Sequence, residues 1–455
     1  METQMDMTRG PIASQLLRFA FPVLLSALLS QTYILVDTVI VSRYLGENAL
    51  AAITNCQNLA YFITSFLFGI GMGVAVVISQ AFGAKNYEWM RRVEHTAIAL
   101  CALFAIVMGC VGLFLSPVLI QLMHTPVEVV SLSQTYLTIY ISLAGGQLLY
   151  NMAGLGIEEA VGDSRTPLYF LLVSTLINIG LDLLLIVGIP CGIAGAAIAT
   201  VIAQWISGIG MLVFLMHTNG MQKISLRQCR LHKDALVEIF RMGIPGAIES
   251  SAVSLANAVV QGFVNSFGAI TMAATGAFAS IEGFGFLPIN AFCAALATFT
   301  GQNVGAGNEK RTHQGCRFAL LTMVFISLLI AVILRLGCPI LMTMFTSNPE
   351  TIALALQRAD ITLWFYPILG LTHCLAAILR GAGRPIIPMM AYLGSWGIIR
   401  VLILMIVLPR YHEFAVLCWV YPITWTISTL FLLGYYRFVR WFPAIPDTIP
   451  EPEML

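Results

Sequence analysis

Long apolar stretches recur along the chain, separated by short polar turns. A helix needs ~20 mostly apolar residues to cross a ~30 Å hydrocarbon layer. Twelve stretches reach that length: 15–42, 49–81, 94–117, 130–156, 167–189, 192–216, 237–265, 272–303, 315–340, 353–379, 386–408 and 413–437. The pattern predicts an all-α membrane protein of twelve transmembrane helices with both chain ends on one side. Two acids interrupt it. Asp37 and Asp182 lie in stretches that hold no other acid, each fifteen residues after a proline, Pro22 and Pro167. At a rise of ~1.5 Å per residue, both carboxylates sit ~22 Å in from the same side. Ionisable groups at that depth are costly and mark ion or proton pathways.

The longest polar segment, 217–236, divides the chain into two sets of six spans. This predicts an N-terminal lobe over 1–216, a linker, a C-terminal lobe over 237–440 and a tail over 441–455. The halves repeat. Gln80-Ala-Phe-Gly83-Ala84-Lys-Asn86 recurs as Gln302-Asn-Val-Gly305-Ala306-Gly-Asn308, and Gly162 and Pro167 recur as Gly383 and Pro388. An even number of spans per repeat gives both halves one topology, so their pseudo-symmetry axis runs along the membrane normal. The acids do not repeat: Asp37 matches Val259 or Val260, and Asp182 matches Ile403.

Charge decides orientation. Eighteen Lys and Arg residues fall on the side of the termini, among them Lys85, Arg91, Arg92, Arg227, Arg311 and Arg384. Only Arg43, Arg410, Arg335 and Arg358 fall on or near the other side, so the termini are expected in the cytoplasm. With 58% hydrophobic and 10% charged residues, and 23 basic against 22 acidic, the chain offers no basic face for nucleic acid. The ten cysteines show no CxxC or zinc spacing and read as packing residues. HExxH, GxSxG and Walker A patterns are absent, which weighs against the alternative of an intramembrane enzyme.

Together, the Pro22…Asp37 helix, the paired 80–86 and 302–308 loops, the Gly162–Pro167 turn and Asn178…Asp182 resemble the multidrug and toxic compound extrusion (MATE) family. The likeness is greatest to the bacterial branch that includes the DNA-damage-inducible F proteins, and it spans about residues 10–440. It implies two six-helix lobes around a central cavity and export of organic, often cationic compounds against inward H⁺ or Na⁺. It also implies an ion site of Asp37, Asn178, Asp182 and Thr200, no other metal or cofactor, and a monomer in a bacterial inner membrane. Asn178 and Asp182 share one helix face, and carboxylate, amide and hydroxyl oxygens suit either an alkali cation or a proton. A lipid-linked saccharide flippase of the wider superfamily is the related alternative, but it would need a basic cavity. The tenth span carries Tyr366 with no following core acid, unlike the NorM-like branch.

Other intramembrane polar groups complete the expectations. Gln31, Tyr33, Asn257, Gln261 and Glu282 are candidate cavity residues, with Glu282 placed to attract a cationic substrate. Glu249 should face the inner vestibule, and Arg400 needs a partner that sequence does not name. Pro22 and Pro288 favour bends.

Overall fold

The computed structural model describes residues 4–123 and 125–443, so most of the expected tail lies outside the described residues. Every described element is helical. Twelve segments follow one another: α1 (Ile12–Leu45), α2 (Glu47–Gly83), α3 (Tyr87–Gln121), α4 (127–158), α5 (Arg165–Gly188), α6 (Gly192–His217), α7 (Lys233–Asn265), α8 (Ala269–Gly305), α9 (Glu309–Phe345), α10 (Pro349–Gly381), α11 (Ile386–Val407) and α12 (Phe414–Phe438). Eleven are continuous, long and apolar enough to span a membrane. The exception is α4, which breaks between Ser142 and Gly145. There Gly146 lies against α6 so closely that a Cβ would stand 2.5 Å from the Trp205 nitrogen, and the Trp205 indole donates to the Leu143 carbonyl at 2.9 Å. The break is thus satisfied by a neighbouring helix, as irregular backbone within a membrane must be. Pro22 and Pro288, expected to bend their helices, sit inside segments whose helical assignment is unbroken.

The helices form two pseudo-symmetric six-helix lobes, and the repeat is visible in the backbone. Gly46 and Gly268 take φ of +83° and +89°, Gly162 and Gly383 take +95° and +77°, and Lys85 and Gly307 take +57° and +66°. Lys85 adopts a left-handed conformation that costs an L-residue roughly 1–2 kcal/mol. Next to each, Asn86 and Asn308 cap α3 and α9 by accepting from Trp89 N and Arg311 N.

Each lobe has its own hydrophobic core, but the division by packing departs from the division by chain. Leu16, Phe19 and Ala20 at the start of α1 belong to the second core, whereas Ala235, Ile239 and Met242 at the start of α7 belong to the first. The leading helix of each half therefore starts in the opposite lobe. The first and last described segments meet the same end of the second lobe, the terminal face, with Met7 against Arg311 and Trp441 against His313.

At this terminal face the repeated loops meet. A Cβ on Gly83 would stand 1.9 Å from the Gln302 carbonyl oxygen, and one on Gly305 would stand 1.9 Å from that of Gln80. The Gln80 side-chain amide donates to Gly381 O at 2.9 Å, and that of Gln302 donates to Ala160 O at 3.0 Å. Each glutamine thus holds the turn of the opposite lobe. Gly83→Ala and Gly305→Ala are expected to lower the detergent melting temperature by several degrees, because overpacking costs ~1–3 kcal/mol. Gly71→Ala and Gly276→Ala, where a Cβ meets nothing within 4 Å, should leave it unchanged or raise it. Equal effects at all four positions would refute the close approach.

Candidate functional site

Within the first lobe, α1, α5 and α6 bring the sequence-predicted ion residues into one pocket. The Asp37 and Asp182 carboxyl groups are neighbours that act on each other directly. Asn178 lies one turn before Asp182, and the Thr200 hydroxyl is 3.3 Å from that of Tyr33, itself one turn before Asp37. Asp37, Asn178, Asp182 and Thr200 are all buried. Asp37 Oδ1, both Asn178 polar atoms and both Asp182 oxygens have no hydrogen-bond partner among the described residues. Buried polar groups in folded proteins are otherwise almost always satisfied. Two adjacent carboxylates cannot both stay charged without a cation or a shared proton between them, and an all-oxygen donor set fits either. The wall includes Tyr136 and Tyr140 of α4, which sequence reading missed; they stack at 5.8 Å and lie near enough to feel the Asp37 charge. They stand four residues apart in an apolar run, the spacing of ordinary helix packing. Beyond Asp182, α5 continues as wider i→i+5 turns over Leu183–Gly188, a form that favours functional sites.

Between the lobes, above the crossed loops, is a cavity of about 460 Å³. Val23 of α1, Met72 and Ser79 of α2, Asn290 and Thr298 of α8 and His373 of α10 are among its lining residues. Two ionisable side chains also line it, Glu159 and Arg380. Arg380 is neutralised by Glu249 at 2.8 Å, which places the acid expected at the inner vestibule in a buried ion pair. Glu159 takes part in no ion pair among the described residues. Glu159 escaped notice because it follows α4 in a turn, outside any apolar span. His373 binds the Tyr392 hydroxyl through Nδ1 at 3.1 Å and has an unpartnered Nε2.

The other expected cavity residues do not line this chamber. Glu282 is not a free acid: Arg358 Nη2 reaches it at 3.1 Å and the Tyr366 hydroxyl at 3.0 Å. That pairing neutralises the charge expected to attract a cation. Arg400, whose partner was unknown, donates to Thr424 Oγ1 at 3.0 Å and to Asn257 Oδ1 at 3.4 Å. It stacks on Trp396 and Tyr421, with no carboxylate in ion-pair range among the described residues. Asn257 is thus tied to Arg400, while the Gln261 amide donates to Asn265. Gln31 is half-buried on α1. All ten cysteines are free; Cys191 is exposed and Cys338 buried, so they do not pair.

Residues 22–184 and 245–406 match the MatE family. The chain is 31% identical over 431 residues to a probable multidrug resistance protein of Bacillus subtilis, YoeA, covering 92% of each. It is 26% identical to an FAD transporter of Shewanella oneidensis, over 85% of this chain and 86% of that protein. In fold it is similar to a MOP-superfamily transporter from Pyrococcus furiosus, with a TM-score of 0.88, 20% identity and coverage of 95% of this chain and 97% of that one. With two repeats matched and a relative above 30% identity along nearly its whole length, the chain belongs to the MatE family of multi-pass membrane transporters, and it is not an enzyme.

Proposed function

We propose that the protein exports organic, mainly cationic compounds in exchange for inward H⁺ or Na⁺, by exposing the central cavity alternately to the two membrane faces. The observation that carries this reading is the cluster of unpartnered buried oxygens at Asp37, Asn178 and Asp182, which occurs in one lobe and lacks a counterpart at Ile403. Tyr33 and Thr200 bound the same pocket. The terminal face is taken as cytoplasmic, on the basis of its basic residues. On that reading the crossed loops close the cavity to the cytoplasm, in a monomer of a bacterial inner membrane.

The charge of the cavity favours cations. Its lining guanidinium, Arg380, is compensated by Glu249, leaving Glu159 as the lining acid with no basic partner among the described residues. Burial, and then the neighbouring Asp163, push its carboxyl up to about 8, so it is charged above that pH or when a cation draws off its proton. An FAD transporter among the relatives carries an anionic cargo, but a cavity for such a cargo, or for a lipid-linked phosphate, calls for an uncompensated base. For coupling to occur, ion and cargo must each bind the two states with different affinity. A proton or cation between Asp37 and Asp182 relieves their repulsion and draws α1 towards α5, and this is the differential interaction proposed here.

Two experiments test the proposal. In proteoliposomes with Na⁺ and H⁺ gradients imposed separately, one gradient should drive efflux of cationic dyes, and Asp37→Asn or Asp182→Asn should cut that flux at least tenfold. Intact gradient-driven flux in both variants would sink the ion-site assignment. Glu159→Gln should raise KM for cationic dyes about tenfold, the equivalent of ~1.4 kcal/mol, and leave neutral substrates unaffected. An equal rise for neutral substrates would mean that Glu159 shapes the cavity without selecting charge.

A further inference from the structure

Ahead of α1, residues 4–11 cross the terminal face and touch both lobes. On the second-lobe side, Met7 is fully buried in the core. Its N–H donates to Gln302 Oε1 at 2.9 Å, and its carbonyl accepts from Asn303 Nδ2 and Arg311 Nε, both at 3.1 Å. Arg311 also donates to Gly10 O at 2.8 Å and to Gln15 Oε1 at 2.7 Å, with its guanidinium 5.6 Å from the Phe299 ring. All three guanidinium nitrogens are thus spent on one short stretch of chain. On the first-lobe side, a Cβ at Gly162 would stand 2.3 Å from Met5 O, so this turn must be glycine to admit the strap. Gln4 bonds to Gln222, which in turn donates to Glu158 at 3.3 Å.

The arrangement has no pseudo-symmetric twin among the described residues. The positions matching Asn303 and Arg311 are Ala81 and Trp89, neither of which has a side chain able to hold a passing backbone in this way. The segment before α7 docks elsewhere, with His232 N donating to Thr96 Oγ1 on α3. The seam at the terminal face is therefore symmetric in its glycines and glutamines and one-sided in its strap.

We propose that residues 4–15 are a latch that holds the terminal face closed, with Asn303 and Arg311 as the catch that fixes it to the second lobe. Parting the lobes requires the strap to let go of one side, because Met5 is against Gly162 and Met7 against Asn303, only two residues apart. Two residues of extended chain reach no more than ~7 Å, less than the opening a cargo-sized cavity needs. Asn303 and Arg311 are positioning residues: they touch neither cargo nor ion and set the balance between closed and open forms. This deepens the alternating-access reading and rests on it for its consequence, yet the seam can be probed with no gradient and no cargo.

The test uses the full chain in inside-out vesicles and a membrane-impermeant maleimide, with labelling followed by mass spectrometry at Cys293, which lines the cavity. Arg311→Ala and Asn303→Ala should each speed Cys293 labelling about fivefold, the factor of one lost buried hydrogen bond. Arg317→Ala, an exposed position on the same helix, should not. Cys101, buried in the first-lobe core at a depth from this face similar to that of Cys293, reports unfolding: if it labels in Arg311→Ala, the result is read from Asn303→Ala and from Gln15→Ala, which removes one Arg311 bond. Parent-rate labelling of Cys293 in these folded variants overturns the latch, whether or not the chain proves to be an ion-coupled exporter. Faster labelling upholds it even if Asp37→Asn leaves transport intact.

Discussion

The backbone crossing of α2 and α8 at the terminal face is the contact on which the rest of the architecture depends. Gly83 and Gly305 each lie against the carbonyl of the other helix's glutamine, and that glutamine's side chain holds the opposite turn. Because the contact is reciprocal, it fixes how the two lobes sit relative to each other and puts a floor under the cavity. It is also separable. Its glutamine bonds contribute about 1 kcal/mol each, whereas each lobe is held by the close packing of dozens of buried apolar side chains in its own core. The lobes can therefore part while remaining folded, which is what the proposed alternating access needs.

Charge is distributed unequally between two lobes of equal shape. In the second lobe Glu282 meets Arg358, and Arg400 is held by Thr424, Asn257 and two aromatic rings. Its acid is satisfied from within. The first lobe sets Asp37 against Asp182 with no basic side chain in ion-pair range among the described residues. A buried charge lacking its partner is far more costly than a paired one, and this asymmetry is what the proposed ion coupling rests on.

Much of this was legible in the sequence because it is local or periodic. Span positions follow from apolar run length, the shared depth of Asp37 and Asp182 from helical rise, and the two-lobe plan from repeated motifs. What escaped was contact across long sequence separations. The repeat of Gly83 at Gly305 was visible, but its reason, each glycine admitting the other half's backbone, needs two helices to cross. Glu282 looked like a free acid because its partner lies 76 residues away. Likewise, α4 read as one span although its break answers to Trp205 on α6. Glu159 was overlooked because the signal used for acids was depth within an apolar run, and it has none.

One helix joins these parts. The start of α1 is packed in the second core through Leu16, Phe19 and Ala20, while Ile40 and Val41, just past Asp37, are packed in the first. Pro22 stands where the second-lobe portion ends, and Val23 and Ala27 then line the cavity. Proline leaves the carbonyl one turn earlier without its helical partner, so α1 is weakest between its two anchors. A displacement of Asp37 relative to Asp182 must either carry the second-lobe end with it or be absorbed at this point. In the first case the carboxylate pair pulls directly on the helix that begins beneath the strap and beside Gln302. In the second it reshapes the cavity wall at Val23 and Ala27. Both routes lead from a carboxylate pair in one lobe to the space between the lobes, so the proposed ion site, though confined to a single lobe, has a path to a cavity shared by two.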